Sequence, residues 1–556
     1  MGGKRMYNVI QVNVEGQIKQ IKKGTSLLEL AKMFSTGERP AILACKVDNK
    51  VKDLNYIPDR DCRVSFLDLT SEDGVRVYKR SLFFILMKAV KELFPDRRLS
   101  IRHSLSRGTY CEIYGGNELS ETDIKKIEEK MREIVSQGIP LVKSTVSLHE
   151  AREIFSKSGD YDKVLLLKHC KKESLSIYSC GSMANYLYGC LVPDTSYIKL
   201  FELMYYPPGF ILRFPDRLSP NEIPPFKEDK KLFQILTEHK KWGEILEVSH
   251  VGSLNEIIAA GRENELIHIS EALHEKKITY IADEIKKNAD NIKVVLISGP
   301  SSSGKTTFAH RLAIHLRVDG LKPVTVSLDD YFVDREFTPR DEDGKLDFEA
   351  LEAIDVELFN DHLVKLINGK EVEIPIFNFH TGHREKQGRK LKLSKDQIII
   401  IEGIHGLNER LTSAVERKNK FKIYVSALTQ LSLDNYNPIS TTDTRLIRRI
   451  VRDFNFRSSS PKRTLEMWPS VRRGEIKNIF PFQEEADVMF NSALLYELAV
   501  LKNYALPLLE GIDSSDEHYS EARKLIDFLS YFLPVNPDAI PPTSIMREFI
   551  GGSSLY

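Results

Sequence analysis

Gly299-Pro300-Ser301-Ser302-Ser303-Gly304-Lys305-Thr306 lies between a β-branched run, Lys293–Ser298, and a helix-patterned stretch, Thr307–Arg317. The string fits G-x-x-x-x-G-K-[ST], and its flanks supply the strand and helix that this pattern needs. Glycines let a backbone approach an anion closely. N–H groups of the loop and of the following helix N-terminus then surround phosphate oxygens. In that layout Gly299, Ser301, Ser302, Ser303, Gly304 and Thr307 line the phosphates, Lys305 reaches the β- and γ-phosphates, and Thr306 holds Mg²⁺ through its hydroxyl. ATP and Mg²⁺ are therefore the expected cofactors. The loop alone does not separate kinase, hydrolase and motor.

Outward from the loop, a second strand, Pro323–Leu328, runs into Asp329-Asp330-Tyr331-Phe332. Transfer of a phosphoryl group to an alcohol needs a carboxylate beside the acceptor hydroxyl and near the metal. Asp329, at the C-terminal end of a parallel strand, is placed for both tasks. A third strand, Gln397–Ile401, ends in Glu402, the position of a metal-holding acid. Between them Pro375–Arg384 contains His380, His383 and Arg384 and reads as a substrate loop. Arg445, Arg448, Arg449 and Arg452 follow i, i+3, i+4, i+7 spacing and share one helix face. From Arg445 to Arg473 nine Lys/Arg face two acids, so the segment is expected to neutralise transferred phosphate in a closing lid.

The chain has 556 residues, too many for one core, and a formal net charge of +1, so no global field favours nucleic acid or membrane. Six cysteines are scattered without a CxxC pair, as expected of reduced thiols in a cytoplasmic protein. The start, Met1-Gly2-Gly3-Lys4-Arg5, lacks a following apolar region, and no apolar run reaches the roughly 18 residues of a membrane helix.

Residues 1–70 read as a small α+β module, with a strand at Tyr7–Val14, a helix at Leu27–Phe34 and a return to strand at Asn55–Leu67. Residues 71–225 hold amphipathic helices near Lys79–Leu93, Ser120–Gln137 and Ser147–Ser156, then strands and turns through Phe214. Residues 226–290 form a helical connector. Residues 291–510 repeat strand–loop–helix, the pattern of a parallel α/β sheet. Residues 511–556 read as a helix near Glu517–Leu533 and a Pro-rich tail. The fold class is multidomain α/β.

The order Gly-x-Ser-x-Ser-Gly-Lys-Thr-Thr, Ser-x-Asp-Asp-Tyr-Phe, Asp347 and Asp355, Pro-Ile-Phe-Asn-Phe, Ile-Ile-Glu-Gly-Ile and Asp-Thr-Arg-Leu-x-Arg-Arg-x-x-Arg-Asp resembles the uridine kinase and phosphoribulokinase family. The resemblance covers about residues 290–495. It implies that Asp329 is the general base for a ribose hydroxyl and helps to hold the metal. It also implies that Asp347, Phe377, His383 and Arg384, with Arg445, Arg448 and Arg449, contact the substrate or ATP. Phe332 and Phe377 stand where uridine kinases carry tyrosines, so the hydroxyls that would read a pyrimidine are lost.

Residues 7–67 resemble a TGS module, and 72–215 the second additional domain of threonyl-tRNA synthetases. There the metal ligands of the resembled domain fall on Arg80, Phe84, Leu187 and Leu191, none of which binds zinc. This implies no metal and no editing in that region, with RNA or tRNA contact as an open role. The expectation is an ATP-dependent kinase acting on the 5′-hydroxyl of a nucleoside. A sugar-phosphate kinase, suggested by Arg335 and Arg340, and a nucleotide-dependent RNA-binding regulator remain as alternatives.

Overall fold

The computed structural model describes residues 9–34, 40–342, 344–378, 381–394, 396–429 and 431–556. Tyr7, His380 and the Met1–Arg5 start lie outside these residues.

The first sheet has the order Gln17–Lys22, Val9–Val14, Cys62–Leu67, Ala44–Val47, Lys50–Lys52. Alternation along Val9–Val14 sends Ile10, Val12 and Val14 into one core with Leu27 and Leu30 of helix Leu27–Phe34. A four-stranded sheet (Glu202–Tyr206, Gly209–Arg213, Gly108–Tyr114, Arg98–Leu105) and a three-stranded one (Met183–Asn185, Ser174–Cys180, Leu141–Ser147) follow. The helix expected at Lys79 begins earlier and spans Glu72–Leu93. Ser71 caps it by accepting from Gly74 N–H, and Glu72 and Asp73 favour its positive end. Ser120 and Ser147 cap Glu121–Ser136 and Leu148–Ser158 through reciprocal capping boxes. The helix Tyr161–Lys168 was not expected: its N-cap residue, Asp160, makes no capping bond and instead receives Ser158 and Asn185.

Three helices, Lys230–Ile245, Val251–Ala259 and Glu263–Lys287, lead to a five-stranded parallel sheet. Its order is Lys322–Ser327, Gln397–Glu402, Val294–Ser298, Lys420–Ser426, Val488–Asn491. The central strand is buried along its whole length, as expected where helices cover both faces. Val295 and Ile297 pack with Phe308 and Leu312 on one face, while Val294 and Leu296 pack with Phe359 and Leu363 on the other. The chain crosses from the centre to the edge, returns to fill the gap, then leaves for the opposite side. Such a reversal opens a crevice at the C-terminal strand ends. Register places Ser327 and Ile297 both opposite Glu402, so the loop and both acid-bearing turns leave the sheet at one level.

Helix Glu263–Lys287 lies on helix Lys305–Val318, with Ile278, Ile281 and Ile285 against Phe308, Leu312 and Leu316. Arg311 is buried in this contact between Glu275 and Glu271. Glu271 also accepts from the hydroxyls of Tyr496 (2.7 Å) and Ser544 (2.5 Å). Beyond the sheet, the expected Glu517–Leu533 helix is shorter, Tyr519–Leu529, and the tail contains a further short helix, Arg547–Ile550. Among the described residues no helix is long and apolar enough to cross a membrane.

Candidate active site

The loop after Val294–Ser298 is shaped by close backbone approach. A Cβ on Gly299 would lie 1.9 Å from the Val425 carbonyl oxygen, so only glycine fits. Gly304 caps the exit helix at φ +82°, a left-handed conformation that glycine adopts without strain. This start makes the helix begin at Lys305, ahead of Thr307. Lys305 Nζ donates to Pro300 O at 3.2 Å. Burial lowers its pKa, and the charges of Glu402, Glu548 and Asp329 oppose that shift. The hydroxyls of Ser302 and Ser303 are buried with no protein partner. Buried hydroxyls left without a partner in such a loop suit an anion.

Glu402 links the loop to the next strand. Its Oε1 accepts from Thr306 Oγ1 at 3.4 Å and from Ser327 Oγ at 3.3 Å. Ser327 Oγ also accepts from Asp329 N–H at 3.3 Å, which fixes the turn that carries Asp329. Burial, reinforced by the charge of Asp329, pushes Glu402 up to about 7, with Lys305 opposing. Thr306, Glu402, Asp329 and Ser327 together offer hard oxygen donors, the set that Mg²⁺ prefers. Asp329 itself is exposed at the mouth. Its neighbour Asp330 is half-buried, with its pKa raised by that burial.

On the acceptor side the rings of Phe332 and Phe377 lie 5.6 Å apart. Arg384 is spent on the chain: its guanidinium donates to Phe332 O (2.9 Å), Tyr331 O (3.0 Å) and Asp355 Oδ2 (3.1 Å). It therefore braces the turn behind Asp329. His383 is exposed, 3.8 Å from both Asp334 and Glu336. Asp347 accepts from Glu349 N–H at 3.1 Å in a local turn. Glu349 is the residue that enters the site. Its Oε2 is buried and unpartnered, and burial pushes the carboxyl up to about 7. Arg449 and Lys305 oppose that shift, and Glu475 and Asp347 reinforce it.

The arginine face of helix Thr441–Arg457 turns inward rather than toward solvent. Arg445 and Arg448 are completely buried. Arg445 donates to Ser301 O at 3.1 Å and pairs with both oxygens of Glu475. Arg448 reaches Ser302 O (3.4 Å), Ser492 O (2.8 Å) and Glu497. Arg449 donates to Ser301 Oγ at 2.8 Å and to Asp453 at 3.1 Å. Arg445 and Arg448 grip the loop carbonyls, Arg449 holds the Ser301 hydroxyl, and the acids that neutralise the first two, Glu475 and Glu497, lie outside the basic segment.

Sequence reasoning missed Glu349, Glu475, Glu548 and Tyr556. Glu475 accepts from Ser301 N–H at 3.1 Å, and Glu548 accepts from Thr307 N–H at 3.3 Å. Their sequence separations, 174 and 241 residues, leave no local signal. Glu349 sits two residues from Asp347 and was within reach of a reading that weighed both acids.

In the N-terminal region Phe84, Leu187 and Leu191 lie in one apolar cluster, each no more than 1% exposed. The Arg80 guanidinium lies over the Tyr188 ring at 6.0 Å and so close to Gly189 that a Cβ there would meet it at 2.3 Å. Residues at the four expected ligand positions thus form packing.

Residues 294–497 match the Phosphoribulokinase / Uridine kinase family, so the C-terminal sheet and its helices carry a domain of that family. The N-terminal region matches threonine–tRNA ligases. Against that of Desulforamulus reducens, identity is 32% over 191 residues, 34% of this chain and 30% of the relative. Against threonine–tRNA ligase 1 of Bacillus subtilis it is 30% over 191 residues, again 34% and 30%. The chain thus spans about 30% of the length of these relatives. Among solved structures, one titled as a possible uridine kinase from Bacillus stearothermophilus is 23% identical, covering 38% of this chain and 97% of that one at a TM-score of 0.23. A D-glycerate 3-kinase from Cryptococcus neoformans is 14% identical, covering 48% and 90% at 0.22.

Proposed function

We propose that the protein transfers the γ-phosphoryl group of ATP to a hydroxyl of a small molecule, with the 5′-hydroxyl of a nucleoside as acceptor. The observation that carries this reading is the convergence of Lys305, Thr306, Glu402 and Asp329 at one level of a parallel sheet, beneath a loop of N–H groups. The family match over 294–497 supports the kinase class.

The loop and Lys305 would hold the phosphates, and Thr306 and Glu402 would hold Mg²⁺, whose chemistry when bound is to neutralise charge on the phosphate oxygens. Asp329, exposed at the mouth, would take the proton of the acceptor hydroxyl. Arg384 would keep the Asp329 turn rigid. Arg445, Arg448 and Arg449 would fix the loop through its carbonyls and the Ser301 hydroxyl. The test is ATP consumption with Mg²⁺ against a panel of nucleosides and phosphorylated sugars. Turnover with a nucleoside is expected. Turnover with phosphorylated sugars alone would select the sugar-phosphate reading, in which Arg335 and Arg340 meet an anionic acceptor.

A second reading, nucleotide-dependent contact with RNA or tRNA, is favoured by the match of the N-terminal region to threonine–tRNA ligases. Binding to tRNA across a salt series tests it, and no binding at low salt removes it.

A further inference from the structure

Two anion-binding groups of the loop are taken up by carboxylates of the chain itself. Ser301 N–H donates to Glu475 Oε1 at 3.1 Å. Thr307 donates twice to Glu548 Oε2, from its N–H at 3.3 Å and from its hydroxyl at 2.9 Å. Tyr556 Oη lies 3.1 Å from that hydroxyl. Thr307 is in the first turn of helix Lys305–Val318. N–H groups there lack intrahelical partners, and such positions take up phosphate oxygens.

The two carboxylates are held differently. Glu475 is locked by Arg445 on both oxygens and by Arg472 at 2.7 Å, so its charge is neutralised in place. No ion pair among the described residues holds Glu548. It is delivered by a strap whose root is fixed: Ile545, Met546 and Phe549 are completely buried. Ile545 packs so tightly on Gly304 that a Cβ there would lie 2.6 Å from its Cγ2. The Phe549 ring faces Arg448 at 5.0 Å, and Asn455 Nδ2 donates to Phe549 O at 3.0 Å. Past the root, Gly551 and Gly552 adopt φ of +91° and +77°. The arm beyond them ends on Tyr556, 60% exposed, with its ring 5.5 Å from that of His310. The arm is itself tied back at Ser554, whose N–H donates to Pro542 O at 3.0 Å, so the parts that can move with least loss are the Glu548 side chain and the end of the arm at Leu555 and Tyr556.

We propose that Glu548, seated by the strap 545–556, is a built-in competitor for the phosphate position at Thr307, which a nucleotide must displace to bind. A carboxylate and a phosphate cannot share the two Thr307 donors, because like charges at hydrogen-bonding separation repel strongly in a half-buried site. Withdrawal of the arm removes the Tyr556 contact and loosens the seat of Glu548. The nucleotide affinity of the protein is then set by the strap as well as by the loop. The proposal rests on the ATP reading given above.

The test is calorimetric titration of the full chain with ATP and Mg²⁺, comparing wild type with Glu548→Gln and Tyr556→Phe. Glu548→Gln keeps the shape and removes the charge, and should bind ATP about five- to twentyfold more tightly. Tyr556→Phe should shift affinity the same way by about two- to fivefold. In the wild-type protein, which needs no substitution to fold, amide exchange across 549–556 should rise when ATP is added. Equal or weaker ATP binding by Glu548→Gln, or exchange unchanged at ATP saturation, overturns the strap and leaves the kinase reading standing. ATP binding by neither wild type nor Glu548→Gln overturns the kinase reading and the strap with it.

Discussion

The threonine–tRNA-ligase-like region and the phosphate loop keep a family pattern in opposite ways. Around Phe84, Leu187 and Leu191 the expected ligand positions are apolar and packed. Around Gly299–Thr307 the polar groups are retained and poorly satisfied: Ser302 and Ser303 hydroxyls lack partners, and Glu402 and Glu349 are pushed up to about 7. A site lined by packed apolar side chains is stable in itself. A site kept for a ligand bears the cost of buried polar atoms until the ligand arrives.

The strongest attempt to break this contrast is Asp329→Asn. Turnover with the accepted substrate should fall by about 10²–10⁴, while ATP affinity stays within about twofold, as steady-state kinetics and titration would show. Near-normal turnover would mean that the acid at the mouth is not the base.

Phe84→Ala makes the opposite case. It should cost about 3–5 kcal/mol in urea unfolding through the cavity it leaves, with ATP affinity unchanged. A marked loss of ATP affinity would place the N-terminal region within the machinery.

Glu349 gives a pH-dependent test. Its carboxyl rises from 4.5 to about 7 on folding, so the native protein keeps a proton that the unfolded chain has released. Stability from this group is full below about 4.5 and drains as pH climbs to about 7. Glu349→Gln removes that drain. Relative to wild type, the variant should gain roughly 1–3 kcal/mol more at pH 8 than at pH 5 in urea titrations. A difference flat with pH would show that the carboxyl is not held neutral.

The smallest expected effect is at Phe377→Tyr. Restoring a phenol hydroxyl should lower KM for a pyrimidine nucleoside by about two- to tenfold with little change in kcat. An unchanged KM would show that the Phe332–Phe377 pair does not face the base.

What could be read from the sequence was what is contiguous. The loop, its strand and the acids at two neighbouring strand ends are short local patterns whose spacing is set by the sheet itself. The helix starts near Ser120 and Ser147 were legible for the same reason, because a capping box spans four residues. The arginine face was legible as a face but not in its direction. Its i, i+3, i+4, i+7 spacing fixes which side chains align, while the acids that draw them inward come from Glu475 and Glu497 in other elements. Asp347 and Glu349 carry similar chemistry two residues apart, and the backbone turn that aims one of them inward is decided by tertiary packing. Glu548 is beyond any local reading, since only the folded chain brings it to Thr307.

Glu271 lies outside the stretch that matches the kinase family, and so does Ser544. Yet Glu271 ties Tyr496 and Ser544 together beside Arg311 of the loop's own helix. A fragment excised at 294–497 would remove both acids that pair with Arg311, Glu271 and Glu275, and uncover its guanidinium. It would also strip Ile278, Ile281 and Ile285 from Phe308 and Leu312, baring an apolar face that invites aggregation. The kinase-family unit in the practical sense, the smallest piece worth expressing, therefore begins upstream of Glu263 and includes the tail.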